Sequence, residues 1–256
     1  MKTGAVTDYI DVAQIVLYGF WLFFAGLIFY LRREDKREGY PLESDRSGGR
    51  IKVQGFPAMP AAKTFQLADG SVVQAPRIER DLRPIRATPT AGYPGAPLRP
   101  DGADPMLDAV GPAAYAERAE IPDHTIDGRP LLAPLRIAPE FSVSSKDPDP
   151  RGMTVQGADG EAGGVIADIW IDRAEPQVRY LEVESGSRRV LLPMPFAKID
   201  GTRGIVKVKA ILGSQFATVP GLANPDRVTR REEDRIVAYY AGGKLYALPG
   251  RSEPIL

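Results

Sequence analysis

From Val12 to Leu31 the chain reads VAQIVLYGFWLFFAGLIFYL, twenty residues without a charged side chain. As an α-helix this run rises about 30 Å, the thickness of a bilayer's hydrocarbon layer. A helix apolar on every side needs a large core or a membrane around it, and the proline-rich remainder of the chain predicts no such core. The run is therefore predicted to span a membrane once. Arg32, Arg33, Lys36 and Arg37 follow it directly, whereas the preceding flank holds Lys2 against Asp8 and Asp11. By the positive-inside rule, residues 1–11 form a periplasmic tail and the chain from residue 32 onward lies in the cytoplasm. A secretory signal peptide would carry its charge before a shorter run and a small-residue cleavage site after it. Here the order of charge is reversed.

Periodicity fades from Pro41 to Pro105, where ten of the 24 prolines fall. Such composition favours disorder. Scattered apolar anchors (Phe56, Phe65, Val73, Ile78, Leu82 and Ile85 among them) favour instead an extended segment ordered against another surface. Residues 32–110 are accordingly predicted to form a Pro/Gly-rich cytoplasmic arm lying on partner chains. Within it, KTFQLADGSVVQAP predicts a hairpin turning at Asp69 and Gly70.

Alternation returns further on. LLAPLRI is strand-like. In VIADIWID, Val165, Ala167, Ile169 and Ile171 fall on one face and Asp168, Trp170 and Asp172 on the other, the pattern of a half-buried strand. QVRYLEVE, RRVLLPM and GIVKVKAI follow as three more strands separated by turn residues, which predicts a small antiparallel barrel or sandwich. GADGEAGG matches neither GxGxxG nor GxxxxGK[ST], so a hairpin explains it better than a phosphate loop. Thr229 and Glu232 have capping-box spacing and start a helix predicted from about 230 to 241, stopped by Gly242 and Gly243, with KLYAL as a last strand. The acidic first turn, Glu232 to Asp234, complements the helix dipole and is not taken as a metal site. The expected fold class is a single transmembrane α-helix plus a mainly antiparallel β cytoplasmic domain over residues 111–256, with a short C-terminal helix.

Charge narrows the function. Lysine and arginine balance aspartate and glutamate at 33 each, and with Lys2, Asp8 and Asp11 set aside the remainder is still nearly even, so bulk charge argues against a nucleic-acid partner. The absence of cysteine excludes disulfides, thiolate zinc sites, cysteine-ligated iron–sulfur clusters and cysteine nucleophiles. With His124 the single histidine, the chain cannot build a multi-histidine metal site by itself. Any redox cofactors would be held by other chains. Tyr30, Arg32, Arg33 and Lys36 at the cytoplasmic rim are candidates for contact with lipid phosphates or a partner subunit; a plain solubility collar is the alternative.

Several longer stretches carry a resemblance: FWLFFAGLIFYLRREDKREGYPLE (20–43), GPAA (111–114), DPDPRGMTV (147–155), DIWID (168–172), RYLEVE (179–184), LLPM (191–194) and EEDRIVAYYAGGKLYA (232–247). Together they resemble the H subunit of the purple-bacterial photosynthetic reaction centre, whose barrel is the namesake of the PRC-barrel fold. The resemblance implies a non-enzymatic, single-pass subunit of the photosynthetic inner membrane that binds no cofactor of its own. It would cap the L and M subunits, which carry bacteriochlorophyll, bacteriopheophytin, quinones, a non-haem iron and carotenoid. A cytochrome subunit, a light-harvesting antenna ring and membrane lipids are the further neighbours implied. Screening the secondary quinone from water while feeding it protons needs a wired route of carboxylates. Glu175 matches the family glutamate near that quinone and Asp172 the acidic residue close to it. The family's histidine pair at the proton entrance follows an Asp-Gly; here Asp127 and Gly128 are followed by Arg129 and Pro130, which leaves Asp127, or His124 nearby, as the entrance candidate. The residues alone also allow a membrane-tethered adaptor without photochemistry. A membrane-anchored hydrolase is weak with one histidine and no nucleophile elbow.

Overall fold

The computed structural model describes residues 4, 11–44, 49–68, 70–77 and 84–251. The chain divides into two compact units, Met1–Arg83 with Tyr93–Gly95, and Pro84–Gly92 with Ala96–Leu256.

In the first unit, α1 (Val12–Asp35) contains the whole apolar run and continues one turn beyond it. Asp11 caps its start: the carboxylate accepts from the Gln14 N–H at 2.8 Å, and the Gln14 side chain accepts from the Asp11 N–H at 3.1 Å. No residue of α1 is buried within the chain, and the helix is long and apolar enough to cross a membrane. Beyond it the arm is partly tied down by cations. Lys36 Nζ donates to the carbonyls of Gln54 and Pro57 at 2.7 and 2.6 Å and stands 5.1 Å from the Tyr40 ring centroid. Arg37 grips the Glu34 carboxylate through two bonds and donates to the carbonyls of Ala61 and Ala75. The predicted hairpin is present, β1 (Lys63–Gln66) antiparallel to β2 (Val72–Ala75). Its Gly70 has φ +81°, suited to a tight turn, while Asp69 and the anchors Ile78 and Leu82 lie outside the described residues.

The second unit begins with a small hairpin, β3 (Ala87–Pro89) and β4 (Leu98–Pro100). Its main sheet contains β5 (Leu132–Pro134), β6 (Thr154–Gln156), β7 (Ala162–Asp172), β8 (Gln177–Ser185), β9 (Arg188–Pro193), β10 (Ala197–Asp200) and β11 (Ile205–Val208). The order is β10-β11-β6-β7-β8-β9, with β5 added to the end of β7. Every pairing is antiparallel except β11 on β6, and the sheet curls into a half barrel. Val155, Ile169, Leu181, Leu191 and Val206 fill its core together with Ile236, Tyr239 and Tyr240 of α2 (Arg230–Tyr246).

Two local expectations change. β7 carries a register shift between Ile166 and Asp168 against β8, which puts Ala167 out of step. Val165 is then exposed, Ile166 and Ile169 both bury, and from Asp168 to Asp172 every side chain is buried rather than every second one. The face expected in solvent is sealed by charge: Glu182 accepts from Trp170 Nε1 at 2.8 Å, from Arg136 at 2.8 Å and from Arg189 at 3.1 Å. Arg136 also meets Asp168 and Asp226. The second change is at Gly242 and Gly243, which do not stop α2. A Cβ at Gly242 would lie 2.7 Å from Ala113 Cβ, and one at Gly243 would lie 2.5 Å from Ile211 Cγ2. The glycines let the helix approach its neighbours closely, and KLYAL falls in the last helical turn and the bend after it instead of forming a strand.

The Tyr240 hydroxyl is buried with no hydrogen-bond partner. An unmatched buried polar group costs stability, so Tyr240→Phe is expected to stabilise the protein by about 1 kcal/mol. A thermal melt showing a lower midpoint for the variant would contradict this.

Candidate functional site

β7 ends at Asp172 and β8 starts at Gln177, leaving Arg173, Ala174, Glu175 and Pro176 to turn the chain. Asp172 organises that turn from inside. It is 3 % exposed, and its Oδ1 accepts from the N–H groups of Ala174 at 2.9 Å and Glu175 at 3.0 Å. This is the side-chain-mimicked turn for which aspartate is suited. Its Oδ2 accepts two bonds from Arg179, at 3.2 and 3.0 Å. Burial opposes the charged form of Asp172, but the Glu175 N–H, the Arg179 guanidinium and the Ala174 N–H outweigh it and hold the carboxyl below the usual carboxylate range.

Glu175 stands at the tip with its side chain 70 % exposed. Its carboxylate accepts from Gln177 at 3.0 Å and from the same Arg179 at 3.3 Å. One guanidinium therefore links the buried and the exposed carboxylate. Arg173 points the other way: its N–H donates to the Leu131 carbonyl and its guanidinium to the Pro130 carbonyl. Those bonds seat the short hairpin of residues 124–130 beside the turn. In that hairpin Thr125 and Arg129 pair through their backbones, Gly128 takes φ +77°, and Asp127 and His124 are exposed.

A cavity of about 440 Å³ adjoins the turn, lined by Asp172, Arg179, Tyr180, Asp123, Arg118 and Glu233 among others. Glu233, in the first turn of α2, accepts a hydrogen bond from the Tyr180 hydroxyl at 2.8 Å. Burial, with the nearby charges of Asp123 and Asp234, raises its pKa above the ordinary value despite the Tyr180 bond. Among the described residues no cluster of three or more His, Cys, Asp or Glu could hold a metal ion.

Residues 4–137 match the family described as photosynthetic reaction centre, H-chain N-terminal region, and residues 143–213 match the PRC-barrel domain. The first match alone covers more than half of the 256 residues. The chain belongs to the photosynthetic reaction centre H-chain family.

Membership makes the H chain a structural, membrane-bound subunit of a pigment and quinone complex, associated with L and M subunits. The structure brings Glu175 and Asp172 into one hydrogen-bonded turn and ties the Asp127 hairpin to it through Arg173. Tyr30, Arg32 and Arg33 are exposed at the end of α1, Arg32 lying 4.0 Å from Asp35. Lys36 departs from the expectation of lipid or partner contact: it is 2 % exposed, withdrawn from water with its ammonium satisfied by two carbonyls and the Tyr40 ring within the arm.

Glu233 is the residue that sequence reasoning passed over as a helix-dipole charge. The signal was present in its spacing. Glu232 is used by the cap, accepting from the Thr229 N–H at 2.8 Å, while Glu233 lies three and seven residues before the buried Ile236 and Tyr240. A carboxyl whose folded pKa is raised contributes stability that is present at low pH and lost as pH rises through that folded pKa. Glu233→Gln keeps an acceptor for Tyr180 and is expected to flatten this loss, gaining on wild type as pH rises above the ordinary glutamate pKa. Parallel stability–pH curves for the two proteins would contradict it. Asp172 contributes with the opposite sign, its share vanishing as pH falls through its depressed pKa.

Proposed function

We propose that this H chain stabilises the L and M core from the cytoplasmic side and delivers protons to the secondary quinone. In this reading Glu175 is the last proton-carrying carboxyl of the chain. Asp172, held ionised, positions it, and Asp127 and the Glu233 cavity lie on the supply side. The single observation that carries the reading is the turn of residues 173–176, in which a buried carboxylate and its backbone bonds hold an exposed one outward. A preorganised, exposed carboxylate at a strand end is what a partner's pocket would need to receive a proton, and it serves the barrel's own packing little.

The pigments, quinones, non-haem iron and carotenoid belong to the partner chains in this reading. Residues 32–110 act as the arm on those partners. Exposed apolar side chains support this, notably Val53 at 77 % and Phe56 at 84 %. The charge asymmetry across α1 supports a periplasmic N-terminus and a cytoplasmic barrel in the photosynthetic inner membrane. Tyr30, Arg32 and Arg33 then lie at the lipid interface, with the cytochrome subunit and antenna ring as outer neighbours. Protease added to sealed inside-out vesicles is expected to cut the barrel; protection there would reverse the orientation.

The test of the function is purification of the tagged chain from its own membrane followed by an absorption spectrum. Bacteriochlorophyll bands co-purifying with the chain are expected. A colourless, stable preparation would favour a membrane-tethered adaptor instead.

A further inference from the structure

A groove of about 480 Å³ runs between β10, β11 and α2 and shares Pro195 and Phe196 with the lining of the cavity beside Asp172. Its walls carry Lys198, Lys207, Lys209 and Lys244, with Phe196 among the apolar lining. β10 and β11 pair so that Lys198 lies directly opposite Lys207, which puts two ammonium groups side by side on one face. Like charges in that relation destabilise a sheet. Lys244 approaches from α2 and sits 4.9 Å from the Phe196 ring centroid. Arg251 adds a further cation at the rim, donating to the carbonyls of Lys209, Ala210 and Gly243.

Acidic compensation is sparse. Asp200 lies 3.6 Å from Lys207 and is shared with Arg203 at 3.9 Å. Among the described residues, Lys198, Lys209 and Lys244 have no carboxylate partner. The fold thus concentrates positive charge in a concavity at a cost to its own stability, and a bound anion would relieve that cost. Lysine ammoniums act as point charges without a fixed fork, and several converging on one concavity suit the compact, multiply charged oxygens of phosphate, a common lysine partner.

We propose that the groove formed by Lys198, Lys207, Lys209 and Lys244 binds a phosphate-bearing anion, either free in solution or as a phospholipid headgroup. The proposal is independent of the proton route, since none of these residues belongs to it.

Calorimetric titration of the full chain, purified in detergent with its bound partners, tests this with inorganic pyrophosphate as the probe. Saturable binding is expected, weakened by about tenfold or more in Lys198→Gln/Lys207→Gln and unchanged in Lys146→Gln, an exposed lysine that does not line the groove. Lys198→Gln is also expected to leave the melting midpoint of the anion-free protein unchanged or raised, which separates a lost site from a lost fold. Reconstitution distinguishes the two sources. Pyrophosphate binding suppressed in vesicles containing phosphatidylglycerol, relative to phosphatidylcholine alone, identifies a lipid headgroup. Equal binding in both identifies a soluble anion. No saturable binding in detergent, equal binding by the double variant, or hexaglutamate binding as tightly as pyrophosphate would each overturn the proposal.

Discussion

Glu175→Gln is expected to slow the proton-coupled second electron transfer to the secondary quinone by about a hundredfold, the lower end of the scale at which a positioned acid–base group acts. Assembly, pigment content and the first electron transfer are expected to stay nearly unchanged. The reasoning rests on what the substitution preserves. Glutamine has the same shape and still offers an oxygen to Gln177 and Arg179, the two partners of the native carboxylate. It removes the ionisable group, and with it one exposed charge facing Arg179, which keeps its pair with Asp172. Because Asp172 shapes the turn through the Ala174 and Glu175 N–H groups, the backbone of the variant has no reason to move. Asp172→Asn provides the contrast: it weakens the Arg179 pair and is expected to lower thermal stability, with a smaller and less pH-dependent effect on the second transfer. Flash-induced quinone kinetics across pH separate the two. An unaltered second-electron rate in Glu175→Gln would remove this carboxyl from the route and leave the H chain as scaffold.

The second large effect is on stability. Glu182→Ala is expected to cost about 2–3 kcal/mol, the penalty for leaving the buried Trp170 donor without an acceptor together with charge-assisted bonds to Arg136 and Arg189 that are partly screened by solvent. The Glu182 side chain is 3 % exposed and neutralises Arg136 and Arg189 while satisfying the Trp170 indole N–H. Truncation leaves the buried Trp170 donor without an acceptor, while Arg136 keeps Asp168 and Asp226 and Arg189, more than half exposed, keeps Glu184 and water. Glu182→Gln retains an acceptor and is expected to lose less. Denaturant unfolding of the detergent-solubilised chain, followed by fluorescence of the adjacent Trp170, measures both. A loss under about 1 kcal/mol for the alanine variant would show that the network is as weak as an exposed surface pair.

Much of this architecture was legible because it depends on local pattern. The apolar run of α1, the capping residues Thr229 and Glu232, and the apolar-rich strands β8 and β9 bounded by turn residues are each set by neighbours in sequence. The features that were not legible depend on contacts distant in sequence. The bulge at Ala167 exists only against the register of β8, so the alternation in VIADIWID gave the strand correctly and its buried faces incorrectly. Whether Gly242 and Gly243 end a helix or let it pack closely is decided by Ala113 and Ile211, which local reading cannot place beside them. Lys36 reads as one more juxtamembrane cation until the arm folds back with the carbonyls of Gln54 and Pro57. At the site, Glu175 and Asp172 came from the family resemblance, whereas the division of labour between them follows from burial and hydrogen bonds. Glu233 was recoverable from helical spacing.

The central claim is that the turn carrying Glu175, exposed in this chain, is covered by the L and M subunits at the quinone side. Carbodiimide footprinting of carboxyl groups, read by mass spectrometry, addresses it directly. Glu175 is expected to label readily in the H chain separated from its complex and to be protected in the intact complex, while Asp127 labels in both. Equal labelling of Glu175 in the two preparations would contradict the account.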